Sequence, residues 1–221
     1  MKTHLLTIAA ILFASVLFSG CMSFLPHMPL EFENDWKERS VIKPDSMLIL
    51  IPRIHVYNQA ELEKDLPAVK DTFTEWFAQS VRAQFDTVFH IKAITRIIDT
   101  ADIALDTAEL NGALIYAPRY KKAQNPGEPD IVLCFALLNV NNTEITINSI
   151  NYSFAGNGMQ RTAMSTTSKY LFLNGNFSYY NVRTGKRLAY SRFSSNVSYA
   201  FHLDAGDWTD LVKETIHSAT N

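Results

Sequence analysis

The sequence predicts a mixed α/β (α+β) domain in which one sheet is covered by helices. Residues 47–51 (MLILI) are continuously apolar and β-branched, which is typical of a strand buried on both faces. Apolar side chains then recur at helical spacing over residues 66–85. From Ile131 onward, segments rich in Ile, Val, Phe, Tyr and Thr alternate with polar turns. This order of elements is typical of a sheet packed against helices.

The first half of the chain is predicted to alternate strand and helix. Pro52 limits the ladder at the end of the first strand, because proline has no N–H to donate. The helix over residues 66–85 has an aromatic face, which we interpret as core. A second strand is expected over residues 88–94. A second helix is expected over residues 100–114, although Gly112 weakens its end.

The second half is predicted to form a four-strand antiparallel meander and a C-terminal helix. The strands are residues 131–140, 144–154, 169–182 and 186–200. A β-bulge near Asn148 would explain why apolar positions in the second of these strands switch from odd to even numbers. Gly185 is expected to take the left-handed conformation in the hairpin turn at residues 181–186. The last helix is expected to begin near Asp207, which can cap it.

Composition excludes some classes of protein. The chain has 221 residues, of which 47% are hydrophobic and 19% are charged, so it can bury a sizeable core. Its formal net charge of −2 gives no electrostatic reason to expect binding to nucleic acid, which usually requires a basic face.

The N-terminal segment has the features of a signal peptide. Lys2 precedes an uncharged run over residues 5–18, which is shorter than the roughly 20 residues of a bilayer span. A buried N-terminal helix is the alternative, but the run has no polar face. The small residues Ser19 and Gly20 follow it, directly before Cys21.

Residues 17–21, LFSGC, resemble the lipobox of bacterial lipoprotein precursors. The resemblance implies that the Cys21 thiol receives a diacylglyceryl group, that signal peptidase II cuts just before it, and that the new amino terminus is acylated. Phe18 departs from the pattern, in which an aliphatic residue is usual. An ordinary secretory signal with an incidental cysteine is the alternative.

The lipobox resemblance also implies an organisation and a location. Residues 1–20 would be the signal peptide, residues 21–44 the lipidated cysteine and membrane tether, and residues 45–221 a single α/β periplasmic domain. Two or three acyl chains give stable attachment to a bilayer. Met22 stands where enterobacterial lipoproteins retained in the inner membrane have Asp, which favours the periplasmic side of the outer membrane.

Cysteine content excludes an intramolecular disulfide if Cys21 is lipidated, because Cys134 is then the only other cysteine. Cys134 lies in an apolar run, whereas a catalytic thiol needs an electropositive and partly exposed setting. We therefore interpret Cys134 as a buried structural thiol.

The order of elements over residues 45–215 is similar to a known fold group. It contains the curli-secretion lipoprotein, the amino-terminal domain of the Tol-system β-propeller protein, and the lipoprotein activators of penicillin-binding proteins. Several of its members share a strand–helix–strand opening and a late hairpin turn like Arg183-Thr184-Gly185. Similarity of fold does not transmit function.

Motifs for catalysis or metal binding are absent from the sequence. It contains no G-x-S-x-G elbow, P-loop, Rossmann fingerprint, H-E-x-x-H or paired C-x-x-C. The aspartates at 204, 207 and 210 do not have the spacing of a calcium loop and are expected near a helix start. We expect no metal, no cofactor and no enzymatic activity.

Two surfaces are candidates for recognition, a basic loop and an aromatic set on the hairpin strands. Core and cross-strand packing is the alternative explanation of the aromatic set, which comprises Tyr170, Phe172, Tyr179, Tyr180, Tyr190 and Tyr199. Residues 116–130 (YAPRYKKAQNPGEPD) are predicted to form a loop, because they combine prolines, a glycine and basic residues. The residues that could meet an acidic partner, peptidoglycan or lipid headgroups are Tyr116, Arg119, Tyr120, Lys121 and Lys122. A solvated loop without a partner is the alternative.

Together these observations predict a non-enzymatic, membrane-anchored periplasmic lipoprotein. Its expected partners are the bilayer, through acylated Cys21, and an envelope protein, in assembly, secretion or cell-wall maintenance. One alternative is a self-assembling component of an envelope pore or secretion complex. A less favoured alternative is a cell-wall hydrolase that uses scattered residues such as His55 or His202.

Overall fold

The computed structural model describes residues 31–32, 44–57, 62, 64–66, 72–155, 158–199 and 202–220. The predicted signal peptide and Cys21 lie outside these residues, as does most of the predicted tether. The strands are β1 (Glu31–Phe32), β2 (Ser46–Pro52), β3 (His55–Val56), β4 (Lys92–Ile98), β5 (Ile103–Leu110), β6 (Ala113–Tyr120), β7 (Ile131–Ala155), β8 (Gly158–Asn181) and β9 (Lys186–Tyr199). The α-helices are α1 (Phe73–Gln84), which a π-helical turn (Phe85–Phe89) extends, and α2 (Ala205–Thr220).

The main sheet has seven strands of mixed direction. Six of them follow the order β1-β9-β8-β7-β2-β4, and β3 pairs with β7 beside β2. Strand β2 is parallel to both neighbours, β4 and β7, whereas β7, β8, β9 and β1 are antiparallel in succession. The predicted mixed α/β class is confirmed.

The predicted four-strand meander is wrong. Its first two strands are one continuous strand, β7, because the polar residues between them stay in the ladder: Asn141 pairs with Phe172 and Asn142 with Leu171. Strand β8 also begins at Gly158, eleven residues before the predicted start at Lys169. The meander therefore has three strands, two of them unusually long.

Strand β2 is buried on both faces, as its apolar pattern predicts. Met47, Ile49 and Ile51 belong to the larger core on the helix side, while Leu48 and Leu50 belong to a smaller core on the opposite side. All five are at most 1% exposed, and burial of each such side chain stabilises the fold by ~1.5–3 kcal/mol.

The prediction of a buried structural Cys134 is also confirmed. Cys134 is a free cysteine in the smaller core, on the same side of the sheet as Leu48 and Leu50, where it is 0% exposed. Burial raises the pKa of the Cys134 thiol to about 12. The thiol therefore stays protonated at neutral pH and packs as a small apolar group.

The two helices cover one face of the sheet. Helix α1 buries Phe73, Phe77 and Val81 against it. Helix α2 packs beside α1, with the Trp208 ring 5.4 Å from the Phe73 ring and perpendicular enough for an edge contact. The Trp208 indole N–H donates to the carbonyl of Asp65 at 2.6 Å. No helix among the described residues has the length and apolar character needed to cross a membrane.

Helix α2 begins earlier than predicted and is capped by a different residue. Oδ1 of Asp204 accepts hydrogen bonds from the backbone N–H groups of Gly206, at 2.6 Å, and Asp207, at 3.0 Å. Asp207 lies at the third helical position, where its Oδ2 accepts from the backbone N–H of Asp204 at 2.9 Å. The two carboxylates thus form a reciprocal cap, which satisfies three otherwise unpaired donors.

The helix predicted over residues 100–114 is wrong, because this segment forms a short 3₁₀ turn and the hairpin β5–β6. Leu110 pairs with Ala113, and the two residues between them, Asn111 and Gly112, have φ angles of 51° and 78°. Positive φ at both positions defines a tight hairpin turn whose twist matches that of the strands. The hairpin covers the sheet face opposite the helices, where the Tyr190 hydroxyl donates to the Glu109 carbonyl at 2.7 Å.

Two predicted backbone irregularities have different outcomes. Gly185 has φ 68° in the turn between β8 and β9, which confirms the predicted hairpin. The bulge expected near Asn148 is wrong, because the β7–β8 register is regular from Asn139 to Ala155. The bulge lies instead between Ala136 and Asn139, where Leu137 has φ 54°.

Candidate functional site

The structure does not gather the five predicted partner-binding residues into one site. Tyr116, Arg119 and Tyr120 belong to strand β6, so the loop predicted over residues 116–130 is wrong for its first five positions. Lys121 and Lys122 begin the loop that connects β6 to β7. Tyr116 is 46% exposed. Tyr120 packs against the smaller core, and the Arg96 guanidinium lies 5.9 Å from its ring centroid.

The basic residues of this stretch contact local acceptors. Lys121 Nζ donates to the carbonyl of Ala101 at 2.9 Å, and Lys122 Nζ donates to Oδ2 of Asp102 at 2.5 Å. The hydrogen bond to Asp102 raises the pKa of Lys122. Because such exposed pairs are strongly solvated, they add little stability, but they do reduce the free positive charge of the loop.

Arg119 lies apart from the two lysines, in a cleft of about 330 Å³ between the β5–β6 hairpin and the β8–β9 turn. We call it the cationic cleft. Three cations, Arg119, Lys186 and Arg187, line it together with one carboxylate, Asp106. Nε of Arg119 lies 3.2 Å from Oδ2 of Asp106, and the Arg187 guanidinium lies 5.2 Å from the Tyr190 ring centroid.

The remaining walls of the cationic cleft include Pro118, Ser178 and Tyr180. The Ser178 hydroxyl donates to the Pro118 carbonyl, and the Tyr180 hydroxyl accepts from the backbone N–H of Tyr120 at 3.3 Å. Burial raises the pKa of Tyr180, so its phenol stays protonated at neutral pH. The excess of cations over carboxylates suits the cleft to an anionic group, since guanidinium and ammonium groups bind carboxylate and phosphate strongly.

A second cleft, of about 390 Å³, lies where β2 and β7 separate. We call it the switch-point cleft and define it by Arg53, His55, Tyr57, Thr100, Leu137 and Asn139. The His55 and Tyr57 rings meet edge to face at 4.5 Å. Nδ2 of Asn139 donates to the carbonyl of Leu137 at 3.1 Å, and its Oδ1 accepts from Asn174 Nδ2 at 3.3 Å. The Asn139 side chain therefore braces the bulge.

Sequence reasoning missed several of these residues. Lys186 and Arg187 were assigned only to a hairpin strand, although two adjacent cations directly after a turn glycine could have been recognised as a surface feature. Arg53 follows the buried strand β2, and its signal was the position just beyond a continuously apolar run. Leu137 lies inside such a run, between buried Ala136 and Leu138, so it carried no signal of its own.

Metal binding has no support in the part of the chain that the structure describes. There, no group of three or more His, Cys, Asp or Glu side chains is placed to hold an ion.

Comparisons with known proteins assign no family to this chain. No family model matches it, and no curated protein matches it. Among solved structures, it is similar to a neuraminyllactose-binding hemagglutinin homolog from Helicobacter pylori, with 14% identity and a TM-score of 0.33. That match covers 79% of this chain and 80% of the other. The score is too low for the likeness to support a fold or a function.

Proposed function

We propose that this protein is a membrane-anchored periplasmic lipoprotein of the bacterial envelope that binds an acidic segment of another envelope protein and has no enzymatic activity. The lipobox resemblance at Cys21 supports the anchor. The cationic cleft supports binding and is the observation that carries the proposal. It holds Arg119, one of the predicted partner-binding residues, together with two cations that the sequence did not single out.

The charge of the cationic cleft favours an acidic partner. Three cations and one carboxylate line the cleft, a cationic majority within a protein whose net charge is −2. Such a local excess attracts an acidic segment and orients it during encounter. Arginine adds geometric selectivity, because its planar fork can bind both oxygens of a carboxylate.

The pairing of β1 bears on where the cleft would lie relative to a membrane. Glu31 pairs with Tyr190 and Phe32 with Ala189, so part of the predicted tether joins the edge of the main sheet. If Cys21 is lipidated, only about ten residues separate the anchor from that edge, with a maximal reach of about 35 Å. Arg187 lies on the same strand, two positions before Ala189. A partner in the cationic cleft would therefore be held near the membrane surface.

In-cell cross-linking of the full protein, followed by purification in detergent and mass spectrometry, tests this proposal. The cleft variant combines Arg119→Gln and Lys186→Gln, and the matched control combines Arg82→Gln and Lys213→Gln, which alter exposed cations on the helices. We expect one envelope protein to be recovered with the parent and the control but lost with the cleft variant. Equal recovery with both variants would contradict the role of the cleft.

Lipidation needs a separate test, because the cleft could bind without it. A Cys21→Ser variant should no longer incorporate labelled palmitate and should leave the membrane fraction. Retention of both properties would refute the anchor while leaving the binding experiment interpretable.

Self-assembly is a second candidate function, and one feature of the sheet favours it. Strand β9 pairs with β8 only as far as Lys169, so among the described residues the stretch 158–168 pairs with β7 alone. It forms a two-stranded ribbon about 35 Å long. Ile145, at the base of this ribbon, is 41% exposed, and Met164, near its middle, is 51% exposed. Isolated two-stranded ribbons are marginally stable, and their open edges can pair with another chain.

Sedimentation velocity over a concentration series distinguishes self-assembly from capture of a different protein. A defined oligomer whose fraction rises with concentration, and which is absent in Met164→Lys, would favour self-assembly. A monomer at every concentration would exclude it.

A further inference from the structure

The switch-point cleft opens because a parallel ladder is interrupted without changing register. Leu48 pairs with Val132 on one side of the gap, and His55 pairs with Asn139 on the other, so both patches have the same offset of 84 positions. Between them, Pro52 has no N–H to donate, and the bulge at Leu137 turns β7 away. The two strands therefore separate and rejoin, and the cleft occupies the opening.

The position of this opening in the sheet is one where binding sites are common. Helix α1 carries the chain from β2 to β4 over one face, and the β5–β6 hairpin lies on the opposite face within the connection from β4 to β7. The chain thus leaves β2 in one direction and returns on its other side. In open sheets of parallel strands, ligands bind beyond the carboxyl ends of the strands at such a switch point.

The backbone at the cleft has an unusual conformation for its residue type. Leu137 has φ 54°, a left-handed value that costs a leucine free energy because Cβ approaches the carbonyl oxygen. Its side chain is also 42% exposed, beside a neighbour, Leu138, that is only 2% exposed. An apolar side chain held in an unfavourable conformation at the mouth of a cleft is better explained by contact with a ligand than by stability.

The cleft also offers a cation. Arg53 is exposed, and its guanidinium makes no hydrogen bond or ion pair with any residue that the structure describes. The surrounding walls are largely apolar, with Pro52, Ile54 and Leu138 beside the rings of His55 and Tyr57. A single cation next to apolar and aromatic surface selects a ligand with one negative charge and an apolar group.

We propose that the switch-point cleft binds the α-carboxylate of an amino-acid-derived ligand with an apolar side chain. The carboxylate would pair with Arg53, and the side chain would pack on Leu137 and Tyr57. The volume of about 390 Å³ falls within the usual range for small-molecule sites and accommodates one or two residues. This site shares no lining residue with the cationic cleft. A negative result for one proposal therefore does not contradict the other.

Fluorine NMR on the full chain in detergent micelles tests the proposal, with empty micelles as the reference. The probe is N-acetyl-4-fluoro-L-phenylalanine, and its C-terminal amide is the control. We expect the acid to show protein-dependent broadening and the amide to show little. A pentapeptide that ends in the same fluorinated residue distinguishes the two sources of this chemistry: tighter binding than the acid identifies a peptide end, and equal binding identifies a free amino-acid derivative.

Two variants connect binding to the described residues. Arg53→Gln should lower the affinity for the fluorinated acid about tenfold or more, because charge-assisted hydrogen bonds are strong. The matched control Arg82→Gln should leave that affinity unchanged. Leu137→Asn should raise the melting temperature, because asparagine tolerates the left-handed conformation, yet weaken binding because the apolar contact is lost. A purely structural role for Leu137 would leave binding unchanged.

Three results would overturn the proposal. The first is that neither the acid nor the pentapeptide binds the protein. The second is that the acid and its amide bind equally, and the third is that Arg53→Gln binds the acid as tightly as the parent does.

Discussion

The bulge in β7 depends on a glycine in the neighbouring strand, and this dependence can be measured. A Cβ at Gly175 would lie 2.6 Å from Cδ2 of Leu138 and 3.0 Å from Cε1 and Cζ of Phe193. Ordinary carbon contacts are about 3.5–4.0 Å, so both neighbours would have to move by up to about 1 Å. Neither can move freely, since Leu138 is 2% exposed and Phe193 is 4% exposed.

The expected cost of Gly175→Ala follows from two opposing effects. Overpacking of a filled core costs ~1–3 kcal/mol. Replacing a glycine in a strand recovers ~0.4–1 kcal/mol, because the unfolded chain becomes less flexible. We therefore expect the free energy of unfolding to fall by ~0.5–2.5 kcal/mol, as measured by guanidinium denaturation followed through the fluorescence of buried Trp208.

A double-mutant cycle separates contact with Leu138 from a general intolerance at this position. Leu138→Ala alone should cost ~2–5 kcal/mol, because it leaves a cavity. In that background the contact with Leu138 is gone and only the close approach to Phe193 remains, so Gly175→Ala should cost much less than in the parent. The coupling free energy should reach ~1–3 kcal/mol. Equal destabilisation in both backgrounds would refute the idea that Gly175 makes room for Leu138, the residue next to the bulge.

Two further predictions concern the free energy of unfolding. Asp204→Ala should lower it by ~1 kcal/mol, because the α2 cap is lost, while Asp204→Asn should keep most of it; equal losses in both variants would argue against the cap. Alkaline pH should also destabilise the fold, because an unfolded thiol or phenol loses its proton near pH 9–10, whereas burial raises the pKa of Cys134 to about 12 and raises that of Tyr179. The unfolded state then binds fewer protons, so the free energy of unfolding should fall as pH rises from 9 to 11, by up to ~1.4 kcal/mol per pH unit for each group. The melting temperature should fall with it, and less steeply in Cys134→Ala. A melting temperature independent of pH over this interval would contradict the burial of these protons.

The parts of the fold that the sequence predicts well are those where one local pattern suffices. Residues 47–51 are apolar without interruption, and a strand with such a pattern must be buried on both faces wherever it lies. Cys134 is in a similar run, so its burial followed without knowledge of its neighbours. The turn glycine, Gly185, was predictable because few other residues tolerate a positive φ.

The hairpin β5–β6 was missed although its signal was present. Asn111-Gly112 is a strong hairpin turn, yet the alanines and leucines around it have high helix propensity. Packing against the sheet decides between the two, and it depends on contacts such as Ser178 to Pro118, 60 positions apart. The cationic cleft depends on the same long-range contact. Arg119 was identified because it lies in a basic stretch of sequence, whereas Lys186 and Arg187 come near it only once the hairpin packs on the sheet.

The bulge was misplaced for a related reason. A change of apolar period in residues 145–154 indicates a bulge only if both apolar sets face the same core, and that segment of β7 extends past the last residue of β9. The actual bulge lies in an uninterrupted apolar run, Leu137 and Leu138, where period carries no information. The switch-point cleft was therefore not predictable without knowing that β7 pairs with β2.

The central place of β2 has a consequence for how the chain reaches its native state. Its partners, β4 and β7, lie 46 and 84 positions later in the sequence, whereas β7, β8 and β9 follow one another directly. Long loops must close before such distant pairs form, so we expect the meander to assemble first and β2 to enter last. During synthesis, residues 47–51 emerge early and wait for more than 80 further residues before β7 is available. Until then this apolar segment lacks one of its partner strands and can associate with other chains. We therefore expect a chain ending at residue 130 to aggregate.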